Sequence, residues 1–206
     1  MEQDQYLSYF PPSSRFNNVV VTAKETGADV LTRDNLVEAM KMHQSIEMGQ
    51  SDQENKLNTF TDLCSPAGGS CATANFTDPV CTCLVVSVLK MWNYDLAKLE
   101  ADTNIIGTLN AYGSREDLEG VLGAPVFDPT TGNLESAEAI SVSYFLEDRS
   151  SVESGSTIDL VNEAWEEQVF LKTVQDADQF PSLDLYYLSS RSFGGKVVML
   201  RIRSVT

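Results

Sequence analysis

Histidine is nearly absent from this chain, and basic residues are scarce. A single histidine, His43, stands among 206 residues. That excludes a histidine-rich metal centre within the chain, because such sites need several imidazoles converging on one ion. Ser-His-Asp and zinc-protease arrangements have no supporting motif around it. Lysine and arginine number 14 against 30 acidic residues, for a net charge of −16. A surface that negative repels phosphate backbones and anionic headgroups, and no Lys/Arg cluster offsets it locally, so nucleic acid is excluded as a partner. No apolar run reaches the about 18 residues that a membrane-spanning helix needs. The opening residues, Met1-Glu2-Gln3-Asp4-Gln5, lack the basic and apolar regions of a secretory signal peptide. Gly68-Gly69 and Gly194-Gly195 fit neither glycine pattern that cradles phosphates.

What is present begins with core-forming residues. Hydrophobic side chains make up 42% of the sequence, enough for one large domain or one domain with a sizeable insertion. Four cysteines crowd together at Cys64, Cys71, Cys81 and Cys83, separated by six, nine and one residues. Zinc knuckles favour Cys-x2-Cys, which does not occur here. Ser65-Pro66-Ala67-Gly68-Gly69-Ser70 is a small-residue loop of the kind disulfides staple, so the pattern favours two disulfides over a metal. Asn75-Phe76-Thr77 in the same loop is a glycosylation sequon. Both features point to an oxidising compartment, with an upstream membrane helix expected to deliver the chain there.

The polar arm 1–15, with Pro11-Pro12, leads into a β-branched run, Phe16 to Ala23, that predicts a strand. Thr32 is placed to cap a helix whose apolar face is Leu36, Ala39, Met40, His43 and Ile46. The polar run Gly49 to Asn58 ends it. Leu84 to about Glu100 reads as a helix buried at its start, with a buried strand as the alternative because of Val85, Val86 and Val88. A short helix is expected over Arg115–Val121, with turns at Gly123-Ala124-Pro125 and Asp128 to Asn133. Ile140, Val142, Tyr144 and Leu146 alternate as a strand ought to. After a polar loop, Glu147 to Gly155, Ser156 or Thr157 is expected to cap a long helix to about Asp176, with Ile158, Val161, Trp165 and Val169 inward. Leu183 to Leu188 is the last strand. The order predicts an α+β fold: a ferredoxin-like sheet with helices on one face, plus a disulfide-stapled helical insertion over about 50–136.

Little of this carries chemistry. His43, between Met40 and Ile46, reads as a buried neutral side chain. The carboxylates Glu116-Asp117, Glu147-Asp148, Glu163 and Glu166-Glu167 read as a solvated acidic surface, and none matches a calcium loop. Trp92 and Trp165 read as core. No catalytic residue, cofactor or metal ligand stands out, and the expectation is a domain that is not an enzyme.

Several segments, in order, resemble the first large extracytosolic loop of the Patched family. That family includes the Niemann–Pick type C sterol transporter, Patched and Dispatched, and lies within the resistance-nodulation-division transporters. The segments are Val30-Leu31-Thr32-Arg33-Asp34-Asn35-Leu36, Phe60-Thr61-Asp62-Leu63-Cys64, and Cys83 to Trp92 with its Cys-x3-Ser-hydrophobic-Leu-x2-aromatic pattern. Leu122 to Val126 with Ala137 to Tyr144, Ala164-Trp165-Glu166, and Ser190-Arg191-Ser192-Phe193 complete the series. The resemblance implies that Cys83 partners Cys64 and that Cys71 and Cys81 form an additional pair. It also implies a luminal or extracellular domain, about residues 16–193, whose membrane-anchored parent moves or senses a sterol or other lipid. Its partner is then a second extracytosolic domain of the same transporter. The tail 194–206 departs from the family, which continues into another membrane helix. The competing expectations are a lumen-facing protein-binding module and, more remotely, an acidic hydrolase with two converging carboxylates.

Overall fold

The computed structural model describes residues 14–67, 82–149, 151–153 and 156–189. The N-terminal arm up to residue 13, Cys71, Asn75, Cys81, and the Ser190–Phe193 segment with the tail beyond it lie outside the described residues.

The Val19-Val20-Val21 run forms β1 (Ser14–Ala23), since β-branched side chains favour extended backbone. Thr32 accepts a hydrogen bond from the Asn35 amide at 3.3 Å and opens α1 (Arg33–Met48). The expected face of α1 is buried, and Met42 joins it. The helix stops at Gly49, where a Cβ would fall 2.3 Å from Val169 Cγ1, so any larger residue would push the helix end off its neighbour.

The polar run that follows is a hairpin. β2 (Gln50–Gln53) pairs with β3 (Lys56–Thr59) through Glu54 and Asn55, both at positive φ of 54° and 65°. Two such residues give the tight turn that matches strand twist. A reciprocal pair of bonds between Gln168 and the Asp52 backbone, at 2.9 and 3.1 Å, pins the hairpin to the second long helix. Thr59 and Asp62 then form a capping box for α2 (Phe60–Leu63).

Leu84 to Glu100 is not the continuous helix expected. Val85 and Val86 extend as β4 (Val85–Ser87), and the Ser87 hydroxyl caps a 3-10 turn, Val88–Trp92, by accepting from the Leu89 amide at 3.3 Å. Asn93 and Tyr94, at φ of 54° and 55°, break that turn. Helix resumes at α3 (Leu96–Ala101), capped by Asp95. The path then runs through α4 (Ile105–Tyr112), α5 (Arg115–Glu119), β5 (Leu122–Gly123), β6 (Val126–Phe127) and β7 (Leu134–Ser136) to β8 (Ala139–Glu147). In β8 the expected residues Ile140, Val142, Tyr144 and Leu146 are buried and their neighbours half-buried.

β9 (Ser151–Glu153) and β10 (Ser156–Ile158) pair with each other, which moves the next helix start. Its cap is Asp159, accepting from the Asn162 amide at 3.1 Å, in place of Ser156 or Thr157, and Ile158 belongs to the strand. α6 (Leu160–Trp165) passes through a π-helical stretch, Glu166–Leu171, into α7 (Lys172–Gln175). Trp165 and Val169 point inward as expected, whereas Val161 is only half-buried. β11 (Leu183–Ser189) closes the chain path.

The main sheet runs β11-β1-β8-β4, all antiparallel, with β5 also paired to β8. Counting its four principal strands in chain order gives 4-1-3-2 around a βαββαβ path, the ferredoxin-like layout. β4 lies inside the segment 50–136 yet belongs to this sheet, so the additional elements fall into two blocks, one on each side of it in the chain. One face of the sheet supplies Val19, Val21, Val142, Tyr144 and Leu185 to a core shared with α1 and the second long helix. On the other face Asn18 donates to Ser141 at 2.7 Å and Ser143 at 2.8 Å, so half-buried polar groups bind one another across strands.

Candidate functional site

Cys64 and Cys83, the pair that the resemblance implies, are joined by a disulfide with a Cα–Cα distance of 5.4 Å. The bond sits against the sheet: Cys64 bridges to Leu146 of β8, and Cys83 bridges to Pro66. It therefore ties Cys64 and Cys83 together at the sheet edge. A disulfide of this kind belongs to an oxidising compartment. No helix among the described residues is long and apolar enough to cross a membrane.

Beside this bond opens a cleft of about 510 Å³, lined by His43 and Glu47 of α1, Thr61, Thr82, Cys83, Val85, and Lys90, Asn93 and Tyr94 from the 3-10 turn and its exit. His43 is 1% exposed, as expected from its place on the apolar face of α1. Its Nδ1 lies 3.1 Å from the hydroxyl of Tyr144, which is wholly buried. Its ring packs at 4.7 Å from the Tyr94 ring and 5.7 Å from that of Tyr144. The Tyr94 hydroxyl donates to the Val85 carbonyl at 2.7 Å. Nε2 of His43 is buried without a hydrogen-bond partner, and Glu47 Oε2 lies 3.8 Å from it. Burial pushes the imidazole down to about 4, so it is neutral at physiological pH and the Glu47 contact is no ion pair. Burial also raises the Glu47 carboxyl, and burial with the Glu47 charge raises the Tyr94 phenol.

A second polar cluster departs from the sequence expectation. Glu166, expected on a solvated acidic surface, is fully buried. Arg15 holds it with Nε to Oε1 at 3.3 Å and Nη2 to Oε2 at 2.9 Å, and Asn17 donates at 3.4 Å. Arg15 also approaches Asp159 at 3.9 Å. Burial raises the Glu166 carboxyl, and the Arg15 charge and bonds oppose that rise. The sequence signal for its burial is spacing: Asn162 and Glu166 are four apart, and the intervening Trp165 marks the inward face. Glu166 begins the π-helical stretch, where the extra residue in the turn alters the facing of the side chains that follow.

An aromatic core joins the two clusters. Tyr144 meets Phe60 edge-on at 5.5 Å and Phe170 at 6.0 Å, and Phe60 lies 5.4 Å from Trp165. Trp165 is thus core, as the sequence suggests, and Trp92 is too, its indole N–H donating to Asp102 at 2.8 Å. Of the other acidic positions, Glu116, Asp117, Glu147, Asp148, Glu163 and Glu167 are not buried. No group of three or more His, Cys, Asp or Glu that could hold a metal occurs among the described residues. Scans against protein-family models and curated proteins found no match to this chain.

Proposed function

We propose that this chain is an extracytosolic domain of a Patched-like sterol or lipid transporter or receptor, which shapes an apolar conduit or a binding surface and catalyses no reaction. The observation that carries this reading is the Cys64–Cys83 bond fastened to the edge of a βαββαβ sheet. The segments that resemble the family also fall on structurally meaningful positions. Val30 to Leu36 spans the cap of α1, Phe60 to Cys64 is α2 with the first bonded cysteine, Cys83 to Trp92 is β4 with its capped turn, and Trp165-Glu166 is the entry to the π-helical stretch. The parent's membrane anchoring and the second extracytosolic partner domain belong to the same proposal, as does a glycan at Asn75.

A protein-binding module without a transport role is the second reading. Its mark is a contiguous exposed apolar patch, and Met48, Leu57, Val126 and Leu160 are the large apolar side chains left half or more exposed on the described surface from which such a patch would be drawn. Sequencing the transcripts across the locus separates the two. In-frame apolar helices before Met1 and after Arg191 support the transporter domain. A transcript that encodes only these residues overturns it and leaves the binding module.

A further inference from the structure

We propose that the cleft beside the Cys64–Cys83 bond is a binding site for a small molecule bearing a hydroxyl group, which accepts from His43 Nε2–H and donates to Glu47. The cleft belongs to this chain alone, so the proposal stands whether or not membrane segments flank the domain.

The tautomer of His43 follows from counting unsatisfied groups. If Nδ1 carried the proton and donated to Tyr144, the buried phenol proton and the Nε2 lone pair would both be left without partners. If Tyr144 donates to Nδ1 instead, only Nε2–H is left over. A buried polar group without a partner is costly, so the second arrangement is preferred. The high proton affinity of Tyr144, raised by its burial, keeps that donor in place. His43 therefore offers a neutral, fixed N–H with no partner inside the protein.

The group that covers it has a defined chemistry. Nε2 and Glu47 Oε2 are 3.8 Å apart, too far for a direct hydrogen bond. Nε2 is closed off as the side chains stand, so an oxygen reaches it only as Glu47 swings outward, and it can then sit about 2.8 Å from both. That oxygen must accept on one side and donate on the other. A hydroxyl does both, an ammonium cannot accept, and a carboxylate cannot donate. Glu47 has a side chain 41% exposed and can swing to admit the group. The Tyr94 ring and Val85 line the cleft and offer apolar surface to the rest of such a molecule. The wall is built at a conformational cost. Asn93 and Tyr94 are consecutive non-glycine residues in the left-handed region, and aromatic residues rarely adopt it. This backbone lets Tyr94 bond Val85 and lay its ring along His43.

The test uses the whole chain, disulfide intact, at pH 7, with ¹⁵N signals of the His43 ring followed by NMR. Four probes share one apolar body: cyclohexanol, methoxycyclohexane, cyclohexylammonium and cyclohexanecarboxylate. Cyclohexanol is expected to shift the His43 Nε2 signal saturably, and the other three to bind at least tenfold more weakly. Glu47→Ala, at a partly exposed position, is expected to weaken cyclohexanol about tenfold while His43 keeps its tautomer. Equal or tighter binding of methoxycyclohexane or cyclohexylammonium overturns the proposal. So does the absence of any shift at His43, or a Glu47→Ala affinity equal to that of the unaltered chain.

Discussion

Two buried polar clusters touch the same aromatic core, and they are built on opposite terms. Around Glu166 the chain supplies the donors: two from Arg15 and one from Asn17 meet one carboxylate. Around His43 the chain stops one partner short, leaving an N–H with nothing to donate to and a half-exposed carboxylate 3.8 Å away. Burying an ion is tolerated only when its field is answered nearby. A cluster answered from within holds the architecture together. One left open at the wall of a cleft is available to something from outside.

Breaking the closed cluster should have the largest effect. Glu166→Ala leaves Arg15 beside the core with only the longer contact to Asp159, at 3.9 Å, and is expected to cost about 3–5 kcal/mol in urea denaturation. Replacing both Arg15 and Glu166 by Met should cost less than Glu166→Ala alone, because the guanidinium goes with its main partner and Asp159 keeps its bonds from Arg149 and Asn162. A double variant no more stable than that single one would show that the pair does more than answer its own charge.

Next come two effects of similar size at the open cluster. Replacing Cys64 and Cys83 together by Ser releases a loop spanning 19 positions and should cost about 3 kcal/mol of unfolding free energy. His43 takes up a proton near pH 6.5 when unfolded but only near 4 when folded. Between those values the unfolded chain binds more protons, so the stability due to neutral His43 is complete above about pH 6.5 and about 3 kcal/mol of it is lost by pH 4. Glu47 and Glu166, raised by burial, run the other way: each favours the fold at low pH and loses that contribution as pH rises through its folded value. The slope is therefore read as the difference between the unaltered chain and His43→Gln, measured by denaturant melts from pH 7 to 4. An equal slope in both would remove His43 from the account.

The smallest effect expected is at Thr32, which caps the helix that carries His43. Thr32→Ala should cost about 1 kcal/mol and leave the cleft unchanged, checked by the same melts and by the His43 ring signals.

The elements with strong periodic patterns are legible in the sequence. β1, α1 and β8 carry β-branched or alternating side chains, and in α1 and β8 the periodicity picks out the residues that turn inward. The β2–β3 hairpin is hidden because its strands are polar, burying only Ser51 and Asn58, and because Glu54-Asn55 is not a customary turn pair. The break after Ser87 is hidden because Val88, Leu89 and Trp92 fit a buried helix as well as a 3-10 turn. The helix start at Asp159 competes with Ser156 and Thr157 because all three are good caps, and only the β9–β10 pairing decides among them. Helical spacing is enough to place His43 in the core. Its open Nε2 is a different matter, because it depends on Tyr144, 101 positions away, and on Tyr94, whose ring reaches it through an unusual backbone turn. Glu166 is masked for the reverse reason, although its spacing from Asn162 and Trp165 points inward. Composition makes every carboxylate look solvated, and its partner Arg15 lies 151 positions away.

The pairing of β1 with β11 has a mechanical consequence. Asn17 lies opposite Ser189, so the described chain enters and leaves the sheet on adjacent strands at one end. Tension drawing those two ends apart would load the ladder between them one hydrogen bond at a time, as a zipper opens, instead of shearing all of its bonds together. Arg15 and its hold on Glu166 sit where that load first arrives, which makes the pair a clasp at the open end of the zipper.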